Sequence, residues 1–260
     1  MAITLSQAKE DASKANVAKP LFRGEEGHFK NTYSAHHRLF QGPRFTQAQK
    51  IETAKRMVWI AQTLQLVLQH EPVFADPISA SKHAGTPSPN KMHQVLYGFL
   101  QHYHLATPFI DVTTNLDVAC SFCVSEKHYE KPQPVRLYVI DSEELEACGL
   151  RVTGGYTSRS PRHGAQEALS IYLPHKCDFQ RTAKNALISI IDAEVTESER
   201  QKFYRADLYD ATNDEVAHEV ASLAYRCAYG DWAPDHPSLG RVQEYFAEVF
   251  DKLRDAGVGR

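Results

Sequence analysis

Two short polar runs contain the residues of this 260-residue chain whose types and spacing could do chemistry. The first is Leu21-Phe22-Arg23-Gly24, where an arginine follows an apolar pair and precedes a residue without a side chain. Such an arginine can bind a phosphate or a carboxylate through two parallel hydrogen bonds, and glycine allows the backbone to come close. The structural alternative is an ion pair between Arg23 and a nearby acid such as Glu25 or Glu26. Spacing alone does not separate the two interpretations.

The second run, QHYHLATPFIDVTTN, covers residues 101–115 and places histidines, an acid and hydroxyls between two apolar stretches. Polar groups in such a setting need partners. His102 and Asp111 could satisfy each other as a clamp between a helix and a strand, which is the alternative that spacing favours. His102 and His104 could instead act as acid and base in a metal-independent nuclease, with Arg23 binding phosphate.

The elements that must position these residues follow from hydrophobic periodicity. Helices are predicted over about residues 47–69 and 89–103, each with an apolar stripe of helical spacing. After Pro108 the pattern changes to period two, which predicts a strand in which Asp111 and Thr113 share a face. Thr114 with Asp117 resembles a capping box, so a helix is expected to begin there. The strand would thus end in hydroxyls at a helix N-terminus.

The order of the remaining elements predicts an α+β fold. Strands are expected at 135–140, 166–173 and 186–191, and capping pairs Thr196/Glu199 and Thr212/Glu215 precede two helices. The last helix is predicted over 239–256. We therefore expect one domain over residues 1–195, with residues 196–260 forming a helical annex packed on it.

Composition excludes some classes of protein. With 29 basic and 32 acidic side chains, the net charge of −3 excludes a globally basic nucleic-acid binder. The chain shows neither a secretory signal nor a long apolar run, so a cytoplasmic protein with no membrane partner is expected. Cys120 and Cys123 form a lone CxxC, which with His102 and His104 could bind zinc. Their apolar surroundings favour buried core residues instead, and no metal is predicted.

Together the two runs resemble the FRG domain, a family named for its Phe-Arg-Gly start. Residues 101–122, QHYHLATPFIDVTTNLDVACSF, depart from the family's longest stretch at His104, Ala106, Pro108 and Val112. A later family element is similar to Arg162-His-Gly-Ala165-Gln166, so that the similarity covers about residues 20–190. The family residues retained in the longest stretch are Gln101, His102, Tyr103, Leu105, Thr107, Asp111, Thr113, Thr114, Asn115, Ala119 and Phe122.

FRG domains in turn resemble divergent members of the ADP-ribosyltransferase fold. This resemblance implies a split mixed β-sheet core with an N-terminal helical insertion and a C-terminal helical annex. It implies NAD as co-substrate, no metal, and cleavage of the nicotinamide-ribose bond. Arg23 would hold the diphosphate, Thr113 and Thr114 would fix the ribose, and Glu167 would stabilise the developing positive charge. Further residues implied in cofactor binding are His102, Tyr103, Asp111 and Gln166.

The third pocket residue stays open between Gln166 and Glu167. Alternation along the predicted strand puts them on opposite faces, so only one can face a pocket. Upstream lies RVTGGYTSRSPRHG (151–164), a loop whose basic residues are either solvated or bind NAD phosphates or an acceptor nucleic acid.

The resemblance favours a toxin or defence effector that modifies RNA, DNA or protein, with an antitoxin or immunity protein as a possible partner. The alternative from another class is a catalytically silent FRG module that binds a nucleotide or a partner protein.

Overall fold

The structure, a computed structural model, describes residues 3–28, 32, 34–35, 101, 107–154, 165–173, 177–209, 212, 214–229, 239–255 and 258. The chain divides into one unit of residues 1–34, 108–155 and 165–208 and a second of residues 35–107, 156–164 and 209–260. Residues 196–208 belong to the first unit, and the domain boundary expected at residue 195 stays a prediction. The helix predicted at 47–69 lies outside the described residues, as does the helix predicted at 89–103 except for Gln101.

The first unit is built on a mixed sheet, which confirms the α+β class. Among the described residues the sheet has seven strands in the order β1-β7-β4-β2-β3-β6-β5. β1 pairs with β7 in parallel, and all other pairs are antiparallel. The strands are β1 Ile3–Thr4, β2 Pro20–Glu25, β3 Phe109–Thr113, β4 Gln133–Asp141, β5 Val152–Gly154, β6 Ala168–Tyr172 and β7 Leu187–Val195.

Helices of the first unit begin at side chains that bind their free N–H groups. Thr196 is confirmed as such a cap. The predicted start of α2 is wrong by one residue, because Asn115 rather than Thr114 accepts from the Asp117 N–H, at 2.9 Å. The helices are α1 Leu5–Ser13, α2 Leu116–Ser121, α3 Ser142–Ala147, α4 Phe179–Thr182 and α5 Glu197–Phe203, followed by a 3-10 turn Ala206–Leu208.

Each face of the sheet carries its own hydrophobic core. One contains Phe22 with Ala119, Cys120 and Cys123 of the α2 segment. The other contains Leu21 with Ile110, Val112 and Tyr138. The period-two pattern predicted for β3 is thereby confirmed. Cys120 and Cys123 are fully buried, as expected, and burial raises the pKa of Cys120 to about 12 and also raises that of Cys123.

The second unit contains the helices α6 Glu215–Tyr229 and α7 Leu239–Asp255. Asp214, not Thr212, binds the free N–H of Ala217, at 3.3 Å. Tyr225 of α6 contacts Phe250 of α7 with ring centroids 5.2 Å apart. None of the helices that the structure describes combines the length and the apolar character needed to cross a bilayer.

Candidate functional site

Arg23 lies on β2 and is held within the protein. Its Nε and Nη2 atoms each lie 3.0 Å from Glu25 Oε1, and Nη1 donates to the carbonyl oxygen of Asp111 at 2.7 Å. The side chain is only 13% exposed. The structural alternative, an ion pair with Glu25, is therefore present. Arg23 also connects β2 to β3 through the Asp111 carbonyl.

Glu25 is the centre of a buried polar cluster. Its Oε2 atom accepts from the Tyr138 hydroxyl at 2.8 Å and lies 3.5 Å from Thr32 Oγ1. Gln180 Nε2 donates to the Tyr138 oxygen at 3.0 Å. Burial and the neighbouring carboxylate raise the pKa of Tyr138, so the phenol keeps the proton that it donates. Sequence reasoning named Glu25 only as a partner of Arg23; the signal for both was their i, i+2 spacing on one strand.

Gly24 lies against α2. A Cβ atom there would collide with the carbonyl oxygen of Ala119 and would lie 2.9 Å from Cys123 Sγ. Phe22, on the same face of β2, is buried beside this helix segment. The close approach expected from the glycine is thus made by a helix backbone rather than by a ligand.

The two threonines of the second run have different environments. Thr113 is fully buried, and its Oγ1 atom donates to the Gln166 carbonyl at 3.1 Å and accepts from the Asn115 N–H at 3.1 Å. Thr113 pairs with Phe22, so it shares a face with Phe22 and not with Arg23. Thr114 is exposed and therefore presents the hydroxyl that a ligand can reach.

Glu167 lies in the turn that precedes β6 and is exposed. Its Oε2 atom accepts from Thr114 Oγ1 at 3.3 Å, and its Oε1 atom accepts from Asn115 Nδ2 at 2.7 Å. With φ at +43°, Glu167 is the one non-glycine residue with positive φ among those described. Left-handed backbone at a residue with a Cβ is strained and often marks a functional site.

Gln166 is turned into the protein. It is 2% exposed, its Nε2 atom donates to the Leu208 carbonyl at 2.7 Å, and its Oε1 atom has no hydrogen-bond partner among the described residues. β6 begins at Ala168, two residues later than predicted, so strand alternation does not apply to Gln166 and Glu167. Of the two, Glu167 is the residue that solvent reaches.

The other predicted residues are only partly placed. Asp111 is half-buried and faces the same side of the sheet as Thr113. His102, Tyr103 and His104 lie outside the described residues, as do Arg159, Arg162 and His163 of the basic loop. Within the part of the chain that the structure describes, no group of His, Cys, Asp and Glu side chains could hold a metal ion.

A groove of about 770 Å³ lies beside Thr114, within the first unit. Leu21, Val152 and Leu169 supply apolar surface to it. Lys19 and Glu143 at its rim form an ion pair of 2.9 Å. The described part of its lining consists of Lys19, Pro20, Leu21, Thr114, Ser142, Glu143, Glu146, Val152 and Leu169.

Comparison with known families agrees with this assembly of the two runs. The sequence model of the FRG domain matches residues 18–132. The chain carries an FRG domain. The match includes Phe22-Arg23-Gly24 and the run from 101 to 122, and it ends before Gln166 and Glu167. No curated protein and no solved structure matches the chain.

Within the FRG domain, the family's two runs meet at one junction. Arg23 donates to the Asp111 carbonyl of β3. Gly24 leaves space for the α2 backbone, and Thr113 donates to the Gln166 carbonyl in the turn before β6. Arg23 lies on β2, Thr114 follows β3 and Glu167 precedes β6, and these three strands are neighbours in the sheet. Glu167 contacts Thr114, whereas Arg23 is bound to Glu25.

Proposed function

We propose that this protein is an ADP-ribosyltransferase-like enzyme, which cleaves the nicotinamide-ribose bond of NAD and modifies a macromolecule. The observation that carries this proposal is the exposed Glu167 carboxylate, held by Thr114 and Asn115 on strained backbone. Bond cleavage develops positive charge on the ribose, as in glycoside hydrolysis. A carboxylate fixed in advance stabilises that charge without reorganising during the reaction.

The described residues fit the two ends of NAD unequally. The Thr114 hydroxyl, the Asn115 amide and the Glu167 carboxylate offer the donors and acceptors that a ribose needs. The described rim of the groove carries one lysine and two glutamates, a set of charges that does not fit a diphosphate. Arg23, the predicted diphosphate ligand, is bound to Glu25. We therefore give Arg23 a structural part in this proposal.

The roles of the remaining residues follow from their contacts. NAD supplies the reactive bond and nicotinamide as the leaving group. Thr114 and Asn115 orient the two oxygens of Glu167, while Thr113, buried behind them, fixes the turn through the Gln166 carbonyl. Such positioning shells hold a reacting group to the geometry that catalysis requires.

The test is incubation of the purified protein with NAD labelled in its ADP-ribose part, in the presence of cell lysate. We expect nicotinamide release and label transfer, both falling by about 100-fold in Glu167→Gln. Thr114→Val should lose about 10-fold, because one of two contacts to the carboxylate disappears. Glu194→Gln removes an exposed carboxylate on β7 and is the matched control. Wild-type protein without turnover, or Glu167→Gln with wild-type activity, would overturn the proposal.

The second candidate function is a silent FRG module that binds a nucleotide or a partner protein. The Arg23–Glu25 pair favours it, because the cation expected to bind NAD is already neutralised inside the protein. Calorimetric binding of NAD without release of nicotinamide would support this candidate and exclude the first.

The toxin or defence role, an antitoxin or immunity partner and action in the cytoplasm belong to the same proposal. The nuclease alternative depends on His102 and His104, and degradation of RNA without NAD is its test.

A further inference from the structure

The groove beside Thr114 has an apolar floor that is continuous with the sheet. Leu21 of β2, Val152 of β5 and Leu169 of β6 lie on the face of the sheet that also carries Arg23. A volume of about 770 Å³ falls in the range of sites that enclose small ligands or side chains. Apolar surface of this kind is stabilised when a hydrocarbon segment covers it.

The described rim of this floor carries a negative charge. Helix α3 reads SEELEA, and its Glu143 and Glu146 line the groove. Lys19, the one cation in the described lining, is bound to Glu143 at 2.9 Å. Glu146 is exposed and has no ion pair among the described residues. The described rim therefore has a net charge of −1, from one lysine and two glutamates.

We propose that this groove binds a basic segment of a partner protein. The aliphatic stem of a lysine or arginine lies on Leu21, Val152 and Leu169, and its cationic head meets Glu143 and Glu146. Long cationic side chains commonly bury their stems on apolar surface while the head stays in a polar setting. A nucleic acid would instead bring its phosphates against the two glutamates, which costs Coulomb energy.

This inference deepens the proposed function and rests on it in one respect. Thr114 both lines the groove and donates to Glu167, so a segment in the groove lies next to the residue to which we assign the chemistry. If the enzyme proposal holds, the macromolecule that it modifies is a basic protein rather than RNA or DNA. The binding of the segment itself requires neither NAD nor activity.

The experiment measures fluorescence anisotropy with a fluorescein-labelled nonapeptide that has lysine at every third position. We expect Glu146→Gln to weaken binding about 5-fold, because one of two carboxylates at the cationic head is lost. Glu144→Gln is the matched control: Glu144 is exposed on the same helix and is not part of the described lining. Lys19→Gln should tighten binding, because it removes the cation that competes for Glu143.

A second peptide tests the apolar floor. Replacing lysine by ornithine keeps the charge and removes one methylene, so binding should weaken about 3-fold for each side chain in the groove. Equal affinity for the two peptides, or equal loss in Glu144→Gln and Glu146→Gln, would contradict the proposal. Binding of a single-stranded RNA that Lys19→Gln weakens and Glu146→Gln strengthens would also overturn it.

The Glu167→Gln variant separates the two proposals. Peptide binding by both the wild-type protein and this variant, together with wild-type protein that releases no nicotinamide from NAD, supports the groove and ends the enzyme proposal. Label transfer by wild-type protein, with a basic peptide that does not bind, supports the enzyme and ends the groove proposal.

Discussion

Two carboxylates in the first unit, Glu25 and Glu167, have opposite surroundings. Glu25 has a 5% exposed side chain and is bound by a guanidinium and a phenol. Glu167 is exposed and is bound by a hydroxyl and an amide. Both residues lie next to segments that the sequence analysis identified as candidate site residues. In both, each carboxylate oxygen accepts a hydrogen bond. They differ in the charge of their partners and in their access to solvent.

The difference indicates which carboxylate serves the fold and which is available to a ligand. A buried acid needs a cation, because an unpaired charge in the interior is costly. Glu25 meets that need with Arg23, and so removes Arg23 from the residues that a ligand can use. Neutral donors orient Glu167 without cancelling its charge. The following four predictions test this contrast, from the largest expected effect to the smallest.

Gly24→Ala should lower the free energy of unfolding by more than about 3 kcal/mol, because the added Cβ meets the Ala119 backbone and not a flexible side chain. Urea unfolding followed by circular dichroism measures the loss. Adding Cys123→Ala removes the other close atom and should not restore stability. Restoration by Cys123→Ala would show that the helix backbone can shift.

Glu25→Gln should lower the free energy of unfolding by about 2–3 kcal/mol, because it leaves the buried Arg23 charge without its counterion. Glu167→Gln, the matched change at the exposed carboxylate, should stay within about 0.5 kcal/mol of wild type. The same urea titration serves both variants. Equal losses of free energy of unfolding in Glu25→Gln and Glu167→Gln would contradict the assignment of Glu25 to the fold and of Glu167 to ligand binding.

Tyr138→Phe should lower the free energy of unfolding by about 1–2 kcal/mol near neutral pH, because the hydrogen bond from the Tyr138 hydroxyl to Glu25 is lost. The raised pKa of Tyr138 adds a pH dependence. The folded pKa lies above the unfolded value of about 10, so stability from this proton is complete below pH 10 and is lost as the pH rises further. The gap between wild type and variant should therefore shrink above pH 10.

The control near neutral pH is Tyr172→Phe, a half-buried tyrosine in β6 whose ring contacts Phe109. This change removes a phenol hydroxyl outside the Glu25 cluster and should stay within about 0.5 kcal/mol of wild type. A gap for Tyr138→Phe that widens above pH 10 would contradict the sign of the shift.

Glu167→Gly should be more stable than Glu167→Ala by about 1 kcal/mol, because both remove the carboxylate and only alanine keeps a Cβ on left-handed backbone. The two thermal unfolding midpoints measure this difference directly. A more stable alanine variant would mean that the backbone at 167 relaxes to negative φ and that no strain is stored there.

The elements that carry strong hydrophobic patterns were predictable from the sequence. β3, β4 and β7 were expected, and the buried positions of Cys120 and Cys123 followed from the apolar segment around them. The FRG domain was recognised from Phe22-Arg23-Gly24 and from the run at 101–122, and Arg23 binds the Asp111 carbonyl of that second run. The strands and the buried cysteines were predicted from hydrophobic periodicity over a few neighbouring residues. The FRG domain was predicted from short motifs of consecutive residues.

The local details around the candidate site that the sequence did not predict have physical causes. Thr113 and Thr114 are chemically alike, and only the pairing of Thr113 with Phe22 decides which one is buried. The start of α2 was placed at Thr114 because Asn115 is an equally good capping residue one position later. The turn before β6 was taken as strand, because left-handed backbone at a glutamate has no sequence signal. Tertiary contacts decide all three cases.

Asn115 has a consequence for how binding can be observed. Its Oδ1 atom accepts from the Asp117 and Val118 N–H groups at the start of α2, while its Nδ2 atom holds Glu167. A ligand that binds the Glu167 carboxylate breaks its hydrogen bond to Asn115 Nδ2, and the Asn115 side chain can then rotate. The amide protons of Asp117 and Val118, which donate to Asn115 Oδ1, would then exchange with solvent at a different rate. The backbone resonances of Asp117 and Val118 would therefore report occupancy of the site in an NMR titration with any candidate ligand, before its chemistry is known.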